Sequence, residues 1–224
     1  MTGDKMTCTI LYRDRDLLVC IKPRGVSSED ELPRLLAQQL GVERVWCVHR
    51  LDKAVGGVMV LALSQRAAAQ LSALIAGQKL QKKYLAVVAG RPAEEAGILR
   101  DLLYHDRARN KSYPVKRMRA GVKQAELDYE ILETQDAISL VRVRLHTGRS
   151  HQIRVQFASR GMPLIGDVKY GSAVRDCPIA LFSCALTLPH PRTGEALSFS
   201  AVPEGGYPWQ LFSTIQTEVN HEIS

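Results

Sequence analysis

The chain has 224 residues, 46% of them apolar and 24% charged, a globular mixture able to bury a core in one large domain or two small lobes. Thirty Lys and Arg against 23 Asp and Glu leave a formal charge of +7, compatible with a polyanionic partner without demanding one. The longest uncharged apolar stretch, residues 55–63, is about half of a membrane span. The opening Met-Thr-Gly-Asp-Lys lacks the basic-then-apolar layout of a secretory leader, so no membrane and a cytoplasmic location are expected.

In chain order, residues 9–12 and 17–22 read as a hairpin across Arg13-Asp14-Arg15-Asp16, and Lys22-Pro23-Arg24-Gly25 stops its second strand. Ser27, Ser28, Glu29, Asp30 and Glu31 open a helix whose apolar face is Leu32, Leu35, Leu36 and Leu40 and whose end is Gly41. Pro33 is tolerated only in a first turn, which makes Asp30 the N-cap. Residues 58–63 form a continuous apolar run, the pattern of a buried strand. Ser64 caps a second helix bearing Ala67, Ala68, Leu71, Leu74 and Ile75, closed by Gly77.

Strands follow at 83–89, 125–133 and 137–145, the last two joined through Thr134-Gln135-Asp136. Ser150 is the expected cap of a short helix with Ile153 and Phe157 toward the core and Gly161 at its end. A final hairpin runs over 179–188 and 196–202, turning at His190-Pro191-Arg192-Thr193-Gly194. Strands dominate, many separated by loops too short for a parallel crossover. The predicted class is α+β, a mixed, largely antiparallel sheet flanked by helices. A single domain is expected over 1–212, with a polar tail expected to fray over 213–224.

Cys8, Cys20, Cys47, Cys177 and Cys184 are odd in number, scattered and never spaced C-x-x-C, which argues against a disulfide framework and a zinc knuckle. His146 and His151, with no acidic ligand nearby, make a poor metal pair, and no metal is expected. More telling is the distribution of charge. Arg107, Arg109, Lys111, Lys116, Arg117, Arg119 and Lys123 accumulate against the single acid Asp106, with Tyr104 and Tyr113 interleaved. Such a run suits contact with an RNA backbone, with a solvated loop as the alternative.

The densest chemistry lies in His49-Arg50-Leu51-Asp52, followed by Lys53-Ala54-Val55-Gly56-Gly57 and the apolar run. One carboxylate stands between cations, ahead of a double glycine and a strand, which suits a reactive acid at a sheet edge. Such an acid serves as nucleophile or general base, and a nearby cation keeps it ionised. Arg154, in a helix among core residues, is the candidate cation, because a buried charge demands a partner. Four letters alone carry little weight.

Three stretches in order carry much more: His49 to Gly57 with its strand, the lysine-rich approach Gln81-Lys82-Lys83-Tyr84, and Leu145-His146-Thr147-Gly148-Arg149-Ser150-His151-Gln152-Ile153-Arg154-Val155. The last continues through Gly161-Met162-Pro163-Leu164-Ile165-Gly166-Asp167-Val168-Lys169-Tyr170-Gly171. Together with the opening strands and His190-Pro191-Arg192-Thr193-Gly194, they resemble the RluA-type pseudouridine synthases over about residues 9–212.

That resemblance implies the pseudouridine synthase catalytic fold and isomerisation of uridine in ribosomal or transfer RNA, without a cofactor. Asp52 would be the catalytic aspartate, by nucleophilic attack or proton abstraction. Tyr84 would pack on the target base and assist proton transfer at C5, and Arg154 would pair with Asp52. The nucleotide must be flipped out. Arg50 would fill the vacated space or contact a phosphate or an acid. His49, Arg149, Arg107 and Lys111 are the other substrate-side candidates, with scaffolding the preferred role for His49, His146 and His151. Arg149 could hold a phosphate or its own loop.

Relatives usually carry Thr-Ser-Gly where this chain has Val55-Gly56-Gly57, which removes two hydroxyls and adds backbone freedom at Gly56. About eight residues precede the first strand, so the S4-like module of some relatives is expected to be absent, and a monomer is expected. Two rivals stand beside the enzyme: an RNA-binding protein on the same fold without activity, and a small-molecule hydrolase using Asp52 and His49.

Overall fold

The computed structural model describes residues 7–215. Its contacts divide them into two compact units. One holds the described residues through Gln81 together with Ser183–Ala201; the other holds Lys82–Phe182 and the described residues from Val202 onward.

The first unit begins with the expected hairpin, β1 (Thr9–Arg13) antiparallel to β2 (Leu17–Lys22), with a register shift between Ile10 and Tyr12. β2 pairs antiparallel with β4 (Gly56–Ala62), from Leu17 opposite Ala62 to Lys22 opposite Gly57. Every residue of β4 is buried, which explains why its sequence is an unbroken apolar run rather than an alternation. The two-residue β3 (Trp46–Cys47) lies on β4 as well. β10 (Leu181–Pro189) pairs antiparallel with β11 (Ala196–Ser200), joined by the turn at His190.

Helix α1 (Glu31–Leu40) buries Leu32 and Leu36 and ends at Gly41, whose φ of 65° is the left-handed conformation a C-terminal glycine permits. Asp30 is its N-cap by position, but its side chain caps nothing. Helix α2 (Gln65–Ala76) begins as predicted, with Ser64 accepting the Ala67 N–H at 3.1 Å.

The second unit is a five-stranded antiparallel sheet in the order β5, β9, β8, β6, β7, comprising β5 (Gln81–Ala89), β6 (Ala96–Asp106), β7 (Lys111–Val115), β8 (Val122–Gln135) and β9 (Ile138–Leu145). Sequence reading left the basic stretch without regular structure. It is instead the β6–β7 hairpin and the loop leading into β8, with Tyr104 opposite Tyr113 and Asp106 opposite Lys111.

Helix α3 (Gln152–Ala158) is not capped by Ser150. Its N-cap is His151, held at φ 55° without a side-chain cap bond, and the Ser150 carbonyl instead accepts the Ser112 hydroxyl at 2.6 Å. Of the tail expected to fray, Ser213 and Thr214 are fastened to the Glu133 carboxylate and Ile215 is buried. Residues 216–224 lie outside the described residues.

Candidate active site

In the first unit Asp52 sits, half-buried, in the loop between β3 and β4. Its carbonyl accepts the Val55 N–H at 2.9 Å, closing the turn that leads into β4. Neighbouring loops fix the residues around it. The Ser28 hydroxyl accepts the Leu51 N–H at 3.0 Å and donates to the Leu51 carbonyl at 2.8 Å, so one buried side chain pins both backbone groups. Ser28 belongs to the stretch read from the sequence as opening α1, and its side chain serves this loop. The Lys53 ammonium meets Glu31 at 3.1 Å, and the Lys53 carbonyl accepts the Gly25 N–H at 2.8 Å.

Sequence reasoning missed Lys22. It closes β2, is fully buried, and donates from Nζ to the carbonyls of Pro23 and Val26, both at 2.8 Å. Burial pulls its ammonium down to about 8, while the Asp52 carboxylate is the leading charge that opposes the fall. The detectable signal was a lysine closing a strand, directly before Pro23.

The glycines after Asp52 divide the work differently from expectation. Gly56 has an ordinary backbone in tight surroundings, since a Cβ there would lie 3.2 Å from the Lys22 carbonyl oxygen and from Arg24 Cγ. Gly57 is the residue that needs conformational freedom, at φ 128°.

In the second unit Tyr84 is buried on β5, opposite Val143 of β9. Arg154 lies on α3, where every residue from Gln152 through Phe157 is buried, three of them polar. Each of the three is held by side-chain bonds. Gln152 accepts from Thr147 Oγ1 at 2.8 Å and the Arg149 N–H at 3.0 Å, and donates to the Glu126 carbonyl. Gln156 donates to the Leu99 carbonyl and to Asp101. Arg154 donates from Nε to Asp167 Oδ2 at 2.7 Å and from Nη2 to Oδ1 at 2.9 Å, a two-point clasp. Asp167 is 2% exposed. Its sequence signal was a lone acid at the end of an apolar segment, to which no role was assigned.

The substrate-side candidates divide between the units. Arg50 is exposed and paired with Glu29 at 2.6 Å. His49 Nε2 accepts the Val60 N–H at 3.2 Å, which ties it to β4. In the second unit Arg149 Nε donates to the carbonyl of Gln124 on β8 at 2.8 Å. Arg107 is exposed at the tip of the β6–β7 hairpin, and Lys111 begins β7 with its ammonium 5.7 Å from the centre of the Tyr113 ring. His146 Nε2 meets Asp128 at 2.8 Å, and His151 Nδ1 meets the Tyr170 hydroxyl at 2.9 Å.

Among the described residues one group has metal-like spacing, Asp14, Asp16 and His190, with ligand atoms within 4.8 Å of one another. These atoms already clasp the turns of the first unit. His190 Nε2 meets Asp14 at 2.7 Å, and Arg192 donates to Asp16 at 2.7 Å. Burial acts to raise the Asp14 carboxyl, but bonds from Leu17, Asp16, His190 and Tyr12 prevail and hold it at about 2.

Comparison with known proteins follows the same lines. The family described as RNA pseudouridylate synthase matches residues 16–159. An uncharacterised RNA pseudouridine synthase of Haemophilus influenzae is 29% identical, over 94% of this chain and 96% of its own. The Bacillus subtilis protein YlyB, also an uncharacterised RNA pseudouridine synthase, is 34% identical over 90% of this chain and 71% of its own. Ribosomal large subunit pseudouridine synthase D of Pseudomonas aeruginosa is 32% identical over 90% and 70%. The solved structure of human RNA pseudouridylate synthase domain containing 4 superposes with a TM-score of 0.74 at 27% identity, covering 88% of each chain. The chain therefore belongs to the RluA-type RNA pseudouridine synthases and is an isomerase of uridine in RNA.

Proposed function

We propose that the chain modifies ribosomal or transfer RNA in the cytoplasm, as a monomer. Asp52 is the catalytic carboxylate, Tyr84 packs on the target base, and Arg154 keeps Asp52 charged and oriented. The supporting observation is the presence, in order, of the three family stretches at 49–57, 81–88 and 145–155. The bond between ribose C1′ and base N1 breaks, the uracil turns, and C1′ bonds to C5. The C5 proton leaves and N1 gains one, so atoms and electrons balance without an outside reactant. The fixed loop around Asp52 suits a carboxylate that must meet the sugar in one orientation.

A stacked uridine cannot present its sugar and its C5 edge together, so it leaves the stack at a cost of a few kcal/mol. Arg50 takes up the vacated space or a phosphate. Its exposed pair with Glu29 is worth about 0–1 kcal/mol and exchanges readily. Arg107 and Lys111 contact the RNA backbone from the β6–β7 hairpin. His49 and Arg149 hold the loops that border the substrate. A ribosomal target is favoured by the name of the Pseudomonas aeruginosa relative, and the cytoplasm by cysteines that are odd in number, scattered and never spaced C-x-x-C.

The test uses RNA labelled with tritium at uridine C5, isolated from cells lacking this gene. Turnover releases the label to water. Asp52→Asn should lower release about a hundredfold or more, and wild-type release by that variant refutes the assignment. Pseudouridines that vanish on deleting the gene identify the RNA.

A further inference from the structure

Tyr170 lies at the end of the 3-10 turn Val168–Tyr170, three residues beyond the Asp167 that clasps Arg154. Its ring holds the same arginine from another side, with the Arg154 guanidinium carbon over the ring 5.1 Å from its centre. The Tyr170 oxygen accepts the Ser112 N–H of β7 at 2.7 Å and meets His151 Nδ1 at 2.9 Å. The ring also packs on Leu103, Ala125 and Val155. So the ring is itself immobilised from the edge strand, from the N-cap of α3 and from the core.

A guanidinium has an edge and two faces. The Asp167 carboxylate takes the edge with two hydrogen bonds, which fix the direction of that edge but do not by themselves prevent rotation about the line joining the two groups. A ring packed against the guanidinium restricts that rotation, and in a buried site the attraction of cation for ring is strengthened by the exclusion of water. The glycines that shape this turn, Gly166 at φ 77° and Gly171 at φ 97°, bring carboxylate and ring to bear on one side chain.

We propose that Tyr170 is a positioning residue for Arg154, its ring acting as a second stop beside the edge-on clasp of Asp167. The proposal rests on the reading that Arg154 serves the reaction. A group misplaced by about an ångström can cost a hundredfold in rate, so the effect on turnover should exceed any effect on RNA affinity through Lys111, whose ammonium lies 5.2 Å from the centre of the same ring.

The experiment compares Tyr170→Leu, which removes the ring, with Tyr170→Phe, which keeps it and loses only the hydroxyl. Tritium release gives kcat and KM, and RNA affinity is measured with the same RNA. Tyr170→Leu should lower kcat about tenfold to a hundredfold while KM and affinity change less than about threefold. Tyr170→Phe should restore kcat to within about threefold of wild type. A merely structural role is separated by a double-mutant cycle with Arg154→Lys: if Tyr170 acts through Arg154, Tyr170→Leu has little further effect in that background.

Wild-type kcat in Tyr170→Leu overturns the proposal. So does an equal loss in Tyr170→Phe, or an undiminished effect of Tyr170→Leu in the Arg154→Lys background. If Tyr170→Leu melts below the assay temperature, Tyr170→Met replaces it in the same cycle. Asp52→Asn assayed alongside separates the two levels of the argument. Full turnover there defeats the parent reading, whereas the Tyr170 variants decide the positioning role.

Discussion

Gly57→Ala should be among the most damaging small substitutions in the first unit. Two physical terms act together. The backbone at Gly57 has φ 128°, where a Cβ is strained at a cost of about 1–3 kcal/mol. The added methyl would also lie 2.3 Å from the Ser183 carbonyl oxygen, 2.5 Å from its nitrogen and 2.7 Å from its Cβ. Ordinary contact lies at about 3.5–4.0 Å, so the strands must part by over an ångström. Ser183 cannot step aside cheaply, because it is fully buried and donates its hydroxyl to the Val58 carbonyl at 3.1 Å.

Overpacking of this kind costs about 1–3 kcal/mol, and each lost hydrogen bond about 1. With one bond lost the sum is about 3–7 kcal/mol, against a typical total stability of about 5–15. Urea unfolding followed by tryptophan fluorescence should show a large drop in midpoint with an unchanged slope. Gly148→Ala is the control, since no atom lies within 4 Å of its added methyl and its backbone needs no glycine; it should stay within about 0.5 kcal/mol. A loss below about 1 kcal/mol in Gly57→Ala refutes the steric argument.

Lys22 gives a pH signature. Its value falls from 10.5 to about 8 on folding, so between those values the unfolded chain holds more protons and stability should rise with pH. Urea titrations from pH 7.5 to 10.5 should show wild type gaining up to about 3 kcal/mol relative to Lys22→Met; parallel curves contradict the buried, charge-penalised lysine. At Asp167, alanine strips the two-point clasp from a buried arginine and should cost about 3 kcal/mol or more, with Asp167→Asn less damaging. Thermal melts decide this, and a shift under 1 °C in Asp167→Ala shows that other contacts suffice.

Local pattern made much of the fold legible. The hairpin over β1 and β2, the apolar β4, the Ser64 cap and the Gly41 stop all follow from spacing, capping and chain stiffness, which act over a few residues. Elements that depend on distant partners were less accessible. The β6–β7 hairpin looked like a basic loop because its cations mask the strand pattern, and its pairing with β8 spans many residues. Helix α3 starts after His151 rather than after Ser150, and the Ser150 carbonyl is taken by the hydroxyl of Ser112, a residue 38 positions earlier.

The chemistry divides in the same way. Sequence alone determined the class of reaction, because the order of residues around Asp52, Tyr84 and Arg154 forms a pattern that belongs to one family. It could not say what holds those residues. Lys22, through the Lys53 carbonyl, and Ser28 serve the Asp52 loop, and Asp167 and Tyr170 hold Arg154, through contacts between separate segments of the chain. A carboxylate, a phenol ring or a guanidinium is recognised by its own chemistry, which a sequence displays. The groups that orient them are chosen by proximity and burial, and those exist only once the chain has folded.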